Sequence, residues 1–287
     1  MTWPKLALEL ALGAALAGGL AVLTDRRAHR RERAAEADFP PTGPLITVMG
    51  TRVHAHVQGQ GPDLVLIHGA SGNTRDFTFG FVDRLARAYR VIVLDRPGLG
   101  WSDPLPRDGR LGDPNDPAAQ ARVLRAAVAD LGVTRPLVLG HSYGGAVAMA
   151  WGLAAPQETA ALVILAGATM PWPGGLGAFY AVMSSALGAR LVIPAVTAFA
   201  SHARADAVVA GIFAPDPVPA GYAAHVGPAL TMRRDTLREN ARQVAGLKPF
   251  IQRMAREYPG LHLPVEILHG TADSIVPAHI HAEALAA

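Results

Sequence analysis

The chain has 287 residues, half of them hydrophobic, which is enough for one large domain with an insertion or for two small domains. Its formal net charge of +3 comes from Asp25–Arg33, where five arginines stand against one aspartate and one glutamate. The other 21 basic and 21 acidic residues balance, so we expect no basic face for nucleic acid. The absence of cysteine excludes disulfides, thiolate metal sites and a cysteine nucleophile.

The first residues form a long apolar stretch. Leu6–Leu23 carries one charge, on Glu9, and a helix of this length at ~1.5 Å per residue spans about 27 Å, close to the thickness of a bilayer's hydrocarbon core. The arginines that follow favour a cytoplasmic position for the rest of the chain under the positive-inside rule. The sequence therefore predicts a single-pass membrane anchor in residues 1–24, with the membrane as one partner.

Two other interpretations of this stretch stay open. Ala15–Ala17 resembles a signal-peptide cleavage site, although only one lysine precedes it and a run of arginines just after cleavage would oppose export. The third interpretation is a helix that lies in the membrane interface or packs against a partner. Residues 25–44 are basic and include the paired prolines Pro40 and Pro41, which predicts a linker.

Short apolar runs then alternate with helical patterns. Leu45–Met49 and Arg52–Val57 predict a two-stranded hairpin, while Asp63–His68 and Arg90–Leu94 predict strands covered on both faces. The pattern of Thr74–Tyr89, between those two strands, predicts a helix.

The alternation continues towards the middle of the chain. A helix is predicted to begin with Asp116 as its N-cap and Pro117 at its first position, and to stop at Gly132. Leu162–Leu165 predicts a further strand. Strands that alternate with helices at these spacings predict an α/β fold with a doubly wound, mostly parallel sheet.

A G-x-S-x-G motif centred on Ser142 lies between the apolar run Leu137–Leu139 and the small-residue helix predicted over Ala146–Ala155. A strand that turns abruptly into a helix exposes the central serine above the sheet, and the helix N-terminus points N–H groups at an oxyanion formed beside it. Gly140 and Gly144 let the two backbones approach closely. The motif predicts a nucleophilic serine; the alternative is a glycine-rich turn whose serine caps the helix.

Residues 171–263 lack the strand rhythm and contain apolar clusters and two amphipathic helical patterns, Thr231–Ala245 and Lys248–Tyr258. An insertion of this length is too long for a loop, so we predict a helical cap over a core built from residues 45–170 and 264–287. Its apolar side chains suggest a site for a hydrophobic acyl or ring-bearing substrate. The alternative is that they only pack the cap onto the core.

Four motifs, in this order and spacing, resemble those of the α/β-hydrolase family: His68-Gly69, the loop Asp95–Ser102, the G-x-S-x-G and Gly270–Asp273. The resemblance runs from Leu45 to the last residue and implies the roles of further residues. It implies oxyanion donors at the backbone N–H groups of Ala70 and Tyr143, and a triad acid at Asp273. It assigns structural support to His68, Gly69 and Asp95.

The family's catalytic histidine follows a further strand, in a Gly-His setting two dozen residues or more beyond the acid. This sequence has Ala287 fourteen residues after Asp273, and the later histidines, His279 and His281, fall in a predicted helix before that strand. His141 is expected to point away from the serine hydroxyl. We therefore expect a chain truncated before its catalytic histidine, or, second, a non-catalytic relative.

The expected function is that of a serine hydrolase that attacks esters or related acyl compounds through an acyl-enzyme at Ser142. No metal or other cofactor is expected, and Gly98–Gly100 is too short a match to a dinucleotide site. A serine at this position argues against the dehalogenases and epoxide hydrolases of the fold, which use an aspartate there. Carbon–carbon bond hydrolysis, lyase or peroxidase chemistry, and a binding protein without turnover, remain alternatives.

Overall fold

The computed structural model describes the backbone of residues 3–287, and their side chains except those of residues 3–8, 10, 11 and 202. Seven strands in this part form one sheet in the order β1-β2-β4-β3-β5-β6-β7. They are β1 (Leu45–Val48), β2 (Thr51–Gln58), β3 (Asp63–Ile67), β4 (Arg90–Leu94), β5 (Leu137–His141), β6 (Ala161–Leu165) and β7 (Val265–Leu268). The pairs β1–β2 and β2–β4 are antiparallel and the others are parallel. The predicted mostly parallel α/β sheet is confirmed.

Helices cover this sheet and extend beyond it. In chain order they are α1 (Trp3–Asp38), α2 (Arg75–Thr78), α3 (Phe81–Leu85), α4 (Pro117–Asp130), α5 (Tyr143–Ala154), α6 (Ala178–Ser184), α7 (Ile193–Phe199), α8 (His202–Phe213), α9 (Tyr222–Val226), α10 (Pro228–Thr231), α11 (Arg234–Met254) and α12 (Ala282–Ala286). Short 3₁₀ turns lie at Pro156–Glu158 and Tyr258–Gly260, and a π-helical turn at Gly188–Val192 joins α6 to α7.

The central strands are apolar on both faces because both faces are covered. Along β3, Leu64 and Leu66 belong to a cluster with Phe77 of α2 and Val82 of α3. The alternate residues of β3 belong to the larger cluster on the opposite face, which includes residues of α4, α5 and α11. This is the pattern expected of parallel strands in a doubly wound fold. The helix predicted over Thr74–Tyr89 is interrupted because Gly80 adopts a φ of 86° between α2 and α3.

Between β6 and β7 the chain forms helices α6 to α11. Two amphipathic helices were predicted at the end of this region, but the structure has one, α11, which continues through Pro249. Its buried face carries residues at helical spacing, among them Leu237, Ala241, Val244 and Ile251, and burial of this stripe keeps the helix continuous.

Residues 25–38, predicted as part of a linker, are helical instead. They continue α1 without a break to Asp38, and Ala28 and Ala35, two turns apart on one face, are buried. Arg234 at the start of α11 donates to Glu32, and Arg31 donates to the Ala200 carbonyl at 2.7 Å. These contacts hold the second half of α1 on the cap. Because they stabilise the helix there, α1 extends through the residues that were expected to form a linker.

Residues 12–23 of α1 make no such contacts and are exposed. Among the helices whose side chains are described, none alone is long and apolar enough to cross a membrane. Ala178–Ser184 and Gly188–Phe199, bent by 84°, reach that length and composition only together. The predicted anchor Leu6–Leu23 lies partly outside the described side chains and stays a prediction.

We expect Gly140→Ala to destabilise the fold by about 3 kcal/mol or to prevent folding. A Cβ on Gly140 would overlap the backbone carbonyl of Gly144, and neither backbone can move without separating α5 from the sheet. Urea unfolding measures the change. Gly211→Ala is the control, because the exposed Gly211 has open space around it in α8 and an alanine there should leave stability equal or slightly higher. Equal unfolding midpoints for the two variants would contradict the prediction.

Candidate active site

Ser142 occupies the turn between β5 and α5 with φ 52° and ψ −118°, a conformation that non-glycine residues adopt at an energetic cost. Three backbone hydrogen bonds hold it there. Its N–H donates to Leu165 at 3.0 Å, and its carbonyl accepts from Gly145 at 2.9 Å and from Ala168 at 3.0 Å. This geometry is that of a nucleophile elbow.

Close backbone contacts bring the loop after β3 against this turn. A Cβ on Gly144 would overlap the carbonyl of Ile67, so α5 begins directly on the end of β3. A Cβ on Gly69 would lie 3.0 Å from the Cβ of Ser142. The strands β3 and β5 are neighbours in register, with Ile67 opposite Gly140. The two segments predicted to form the oxyanion hole therefore lie side by side.

Ala70 and Tyr143 are the two predicted oxyanion donors. Tyr143 is the first residue of α5, where a backbone N–H has no acceptor within the helix. Among the hydrogen bonds of the described residues, neither the Tyr143 N–H nor the Ala70 N–H donates to a protein acceptor. Both groups are therefore available to a developing negative charge beside Ser142.

Asp95 lies buried under this loop and accepts three hydrogen bonds. The donors are His54 Nδ1 at 2.7 Å, the Thr74 N–H at 2.6 Å and the Trp101 N–H at 2.8 Å. Burial by itself would raise the pKa of Asp95, but the hydrogen bonds and the imidazoles of His54 and His68 outweigh it and lower the pKa. These contacts join strand β2, the N-cap of α2 and the loop after β4, as expected for a residue with a supporting role.

His68 is buried with both ring nitrogens in use. Its Nε2 accepts from the Arg96 N–H at 2.9 Å, so the neutral ring carries its proton on Nδ1, which faces the Gly69 carbonyl at 2.9 Å. Burial, followed by the nearby Arg96 charge, lowers the pKa of His68 to about 3. At neutral pH the imidazole has no free lone pair and holds the loop rather than accepting a proton.

Asp273 follows β7 at the same edge of the sheet. Its Oδ1 accepts from the N–H groups of Ile275 at 2.9 Å and Val276 at 2.8 Å, and its Oδ2 lies 3.5 Å from Nε2 of His269. The His269 Nε2 also lies 2.5 Å from the Val276 carbonyl. Sequence reasoning did not identify His269 as a neighbour of this carboxylate, although their spacing across a short turn could have indicated it.

The other histidines near the site differ in their environment. His281 is buried, and its Nδ1 accepts from the Met170 N–H at 3.2 Å, so its neutral ring carries the proton on Nε2. Burial and the neighbouring His269 lower the pKa of His281 to about 4, partly offset by Asp273. His279 is exposed. None of the histidines whose side chains the structure describes forms a hydrogen bond with the Ser142 hydroxyl.

Arg96 is a further residue that the sequence did not single out. Its guanidinium is fully buried 4.0 Å from the centre of the Tyr143 ring and donates to Gln120 and Gln243, each at 3.0 Å, and to the Gly69 carbonyl at 3.3 Å. Burial lowers its pKa to about 10. It therefore connects the loop after β3, the residue after the nucleophile, and the cap helix α11.

The sequence from residue 62 to residue 287 matches the α/β hydrolase fold family. Together with the sheet and the elbow, this match shows that the chain belongs to the α/β-hydrolase family. Among the side chains that the structure describes, no group of three or more histidines or carboxylates is placed to hold a metal ion.

Individual relatives differ in chemistry. A 2-hydroxy-6-oxononadienedioate/2-hydroxy-6-oxononatrienedioate hydrolase of Paraburkholderia phymatum is 38% identical over 122 residues, which span 41% of each chain. The match thus covers about two fifths of the curated relative's length. The esterase RhEst1 from Rhodococcus sp. ECU1013 has 27% identity and a TM-score of 0.61 over 84% of each chain. A membrane phospholipase A has 20% identity and a TM-score of 0.53 over 98% of this chain and 87% of its own.

We expect His68→Gln to reduce the loss of folding stability that the protein undergoes as the pH falls. Unfolded histidine titrates near pH 6.5 whereas folded His68 titrates near pH 3, so between these values the unfolded state binds the extra proton and wild-type stability falls as pH falls. The maximal slope is about 1.4 kcal/mol per pH unit. Urea unfolding at several pH values in this window compares wild type with the variant, whose glutamine oxygen still accepts from Arg96. If the free energy of unfolding depends on pH in the same way for both proteins, the assignment of a neutral His68 in the folded state is wrong.

Proposed function

We propose that the protein is a serine hydrolase that cleaves esters or related acyl compounds through an acyl-enzyme at Ser142. The observation that carries the proposal is the elbow itself: a serine held at positive φ with two unpaired backbone N–H groups beside it. A serine that only capped a helix would use its hydroxyl on the backbone of the first turn, but Ser142 makes no side-chain cap hydrogen bond.

In the proposed reaction the Ser142 Oγ attacks the substrate carbonyl carbon, and the hydroxyl proton passes to an imidazole. The N–H groups of Ala70 and Tyr143 bind the carbonyl oxygen as it becomes negative. The imidazolium then protonates the leaving alkoxide, and the alcohol departs. Water attacks the acyl-enzyme by the same route and releases the acid and the free serine.

Asp273 is the proposed partner of the imidazole. Its Oδ1 is already bound by two backbone N–H groups, which fix the carboxylate plane and leave Oδ2 to orient a histidine. His281 is a poor base in the observed arrangement because its proton lies on Nε2 and its Nδ1 is bound to Met170. We propose that the base is an imidazole brought to Oδ2 of Asp273 in the active enzyme.

Carbon–carbon bond hydrolysis is the second candidate. It is favoured by the 38% identity to the Paraburkholderia phymatum hydrolase, named for 2-hydroxy-6-oxo dienedioate substrates. The same elbow serves both reactions, since both pass through a negatively charged oxygen at the carbonyl under attack. A dicarboxylate of that class and a p-nitrophenyl ester, offered to the same preparation, distinguish the two.

We expect Ser142→Ala to abolish covalent labelling by a fluorophosphonate probe and to lower ester turnover by at least about 10³-fold. The Ser142 hydroxyl is the only protein nucleophile in the proposed mechanism. Labelling followed by peptide mapping identifies the modified residue. Gln252→Leu, which changes an exposed side chain of α11, is the control with an intact serine and should be labelled like wild type. Wild-type protein that turns over no faster than Ser142→Ala, or a label on another residue, would reject the serine reaction.

We also propose that the first half of α1 attaches the protein to a lipid bilayer. Leu12, Leu16, Leu20 and Leu23 are each more than half exposed, although α1 is held on the cap from Arg27 onward. The exposed arginines of the next turns suit anionic headgroups, at about 1 kcal/mol each. The cap beside α1 exposes further apolar side chains, including Phe199, whose ring lies 5.3 Å from the Arg27 guanidinium.

Flotation with vesicles of phosphatidylethanolamine and phosphatidylglycerol tests this attachment. Wild-type chain should float with the vesicles, and Leu16→Glu with Leu20→Glu should reduce the floating fraction by at least about tenfold, because two charges oppose burial in hydrocarbon. Ala34→Glu with Ala37→Glu is the control, since it adds the same charge to exposed positions of the docked half. If the wild-type protein instead stays in solution as a dimer, the exposed leucines form an interface with a second copy of the chain, and the membrane proposal is wrong.

A further inference from the structure

One residue of the loop after β3 is bonded entirely to the cap. The Ser71 N–H donates to Oδ1 of Asn240 at 2.7 Å, and Nδ2 of Asn240 donates to the Ser71 hydroxyl at 2.9 Å. The Thr231 hydroxyl donates to the Ser71 carbonyl at 2.7 Å. Asn240 lies on α11 and Thr231 at the end of α10, so the cap satisfies all three polar groups of Ser71.

Ser71 needs this support because its backbone is in the left-handed region, with φ 57°. This conformation costs a non-glycine residue about 1–2 kcal/mol. Within the loop, the backbone bond from the Gly72 N–H to the Gly69 carbonyl is long, at 3.4 Å. Asn240 is 4% exposed, so water does not compete for its amide. The conformation of Ser71 is therefore fixed chiefly from outside the loop.

Ser71 directly follows Ala70, the residue whose N–H is the proposed oxyanion donor. That N–H lies in the Gly69–Ala70 peptide plane, which the dihedral angles of Ala70 join to the Ala70–Ser71 plane held by the Ser71 contacts. A loop free to relax at Ser71 would turn the donor away from the position of the oxyanion. Geometric errors of this kind weaken transition-state binding more than substrate binding, because the charge is present only in the transition state.

The second oxyanion donor is connected to the same helix. Gln243, three residues after Asn240 and on the same face of α11, accepts from Arg96 and donates to the Pro97 carbonyl at 2.8 Å. Arg96 in turn lies against the ring of Tyr143. One face of α11 thus contacts the supports of both donors.

We propose that Asn240 and Thr231 are positioning residues that set the oxyanion hole from the cap. The inference rests on the proposed serine reaction and deepens it: the cap takes part in acyl transfer by holding the Ala70 N–H, in addition to covering the site. Neither side chain is assigned a contact with the substrate.

Acylation kinetics with a p-nitrophenyl ester test the inference. Asn240→Leu, of similar size but without either hydrogen bond, should lower the maximal acylation rate by roughly tenfold to a hundredfold, less than the 10²–10³-fold loss of a donor removed outright. The half-saturating ester concentration should change less than about threefold. Thr231→Val keeps the shape of threonine and removes one hydrogen bond. It should therefore fold, and its maximal acylation rate should fall roughly threefold to tenfold.

Gln252→Leu is the matched control, because Gln252 is an exposed amide on the same helix. Two outcomes would overturn the positioning role: Gln252→Leu loses as much rate as Asn240→Leu, or Asn240→Leu and Thr231→Val both acylate as fast as wild type. In either case acylation of the wild-type protein would still support the serine reaction. If Asn240→Leu unfolds, Thr231→Val decides alone. If wild type and Ser142→Ala behave alike, the serine reaction is rejected and this inference with it, since no oxyanion then forms.

Discussion

The close approach of α5 to β3 and β5 is the constraint on which the site depends. At Gly140 and Gly144 the backbones approach so closely that a Cβ on either would overlap a carbonyl group. This contact forces an abrupt turn, and the turn places Ser142 at φ 52°. A serine in a relaxed conformation would continue the strand or join the helix, and its hydroxyl would not stand beside two unpaired N–H groups. The strain at one residue is thus compensated by the packing of a whole helix.

A second layer of order comes from buried polar groups around the loop after β3. Asp95 binds groups of strand β2, of the N-cap of α2 and of the loop after β4. His68 joins the loop after β3 to Arg96, and Arg96 extends the contacts to Tyr143. Each group is buried, so each lost partner would leave a desolvated polar atom, at about 1–3 kcal/mol. Such a network specifies one loop conformation more strictly than apolar packing does, because hydrogen bonds are directional. A preorganised oxyanion hole requires this strictness.

Much of the core was predictable because its strands are short, apolar and separated by turn signals. The predicted Asp63–His68 and Arg90–Leu94 differ from β3 and β4 by at most one residue. The elbow was predictable for the same reason, since its glycines are required locally. The continuity of α1 past residue 24 and of α11 through Pro249 was missed. Both depend on contacts with distant parts of the chain, which override local composition.

The parts of the site that sequence reasoning missed share this dependence. Arg96 lies in a loop and gains its role only where Gln243 of the cap meets it, and Asn240 is one polar residue among many on an amphipathic helix. No spacing rule joins Asn240 to Ser71, which is 169 residues away. Motifs report the groups that a reaction needs close together in the chain, whereas the groups that hold them are chosen by tertiary packing.

Helix α11 therefore connects features that the sequence presents as separate. Its first turn is tied to α1, because Arg234 binds Glu32, and the neighbouring Arg233 binds Glu36 at 3.0 Å. Asn240 follows six residues after Arg234, a rise of about 9 Å along a rigid helix. A displacement of α1 that rotates or shifts α11 must move Asn240 as well, and through it the loop that carries Ala70. In this fold the attachment of the N-terminal helix and the geometry of the oxyanion hole are consequently not independent.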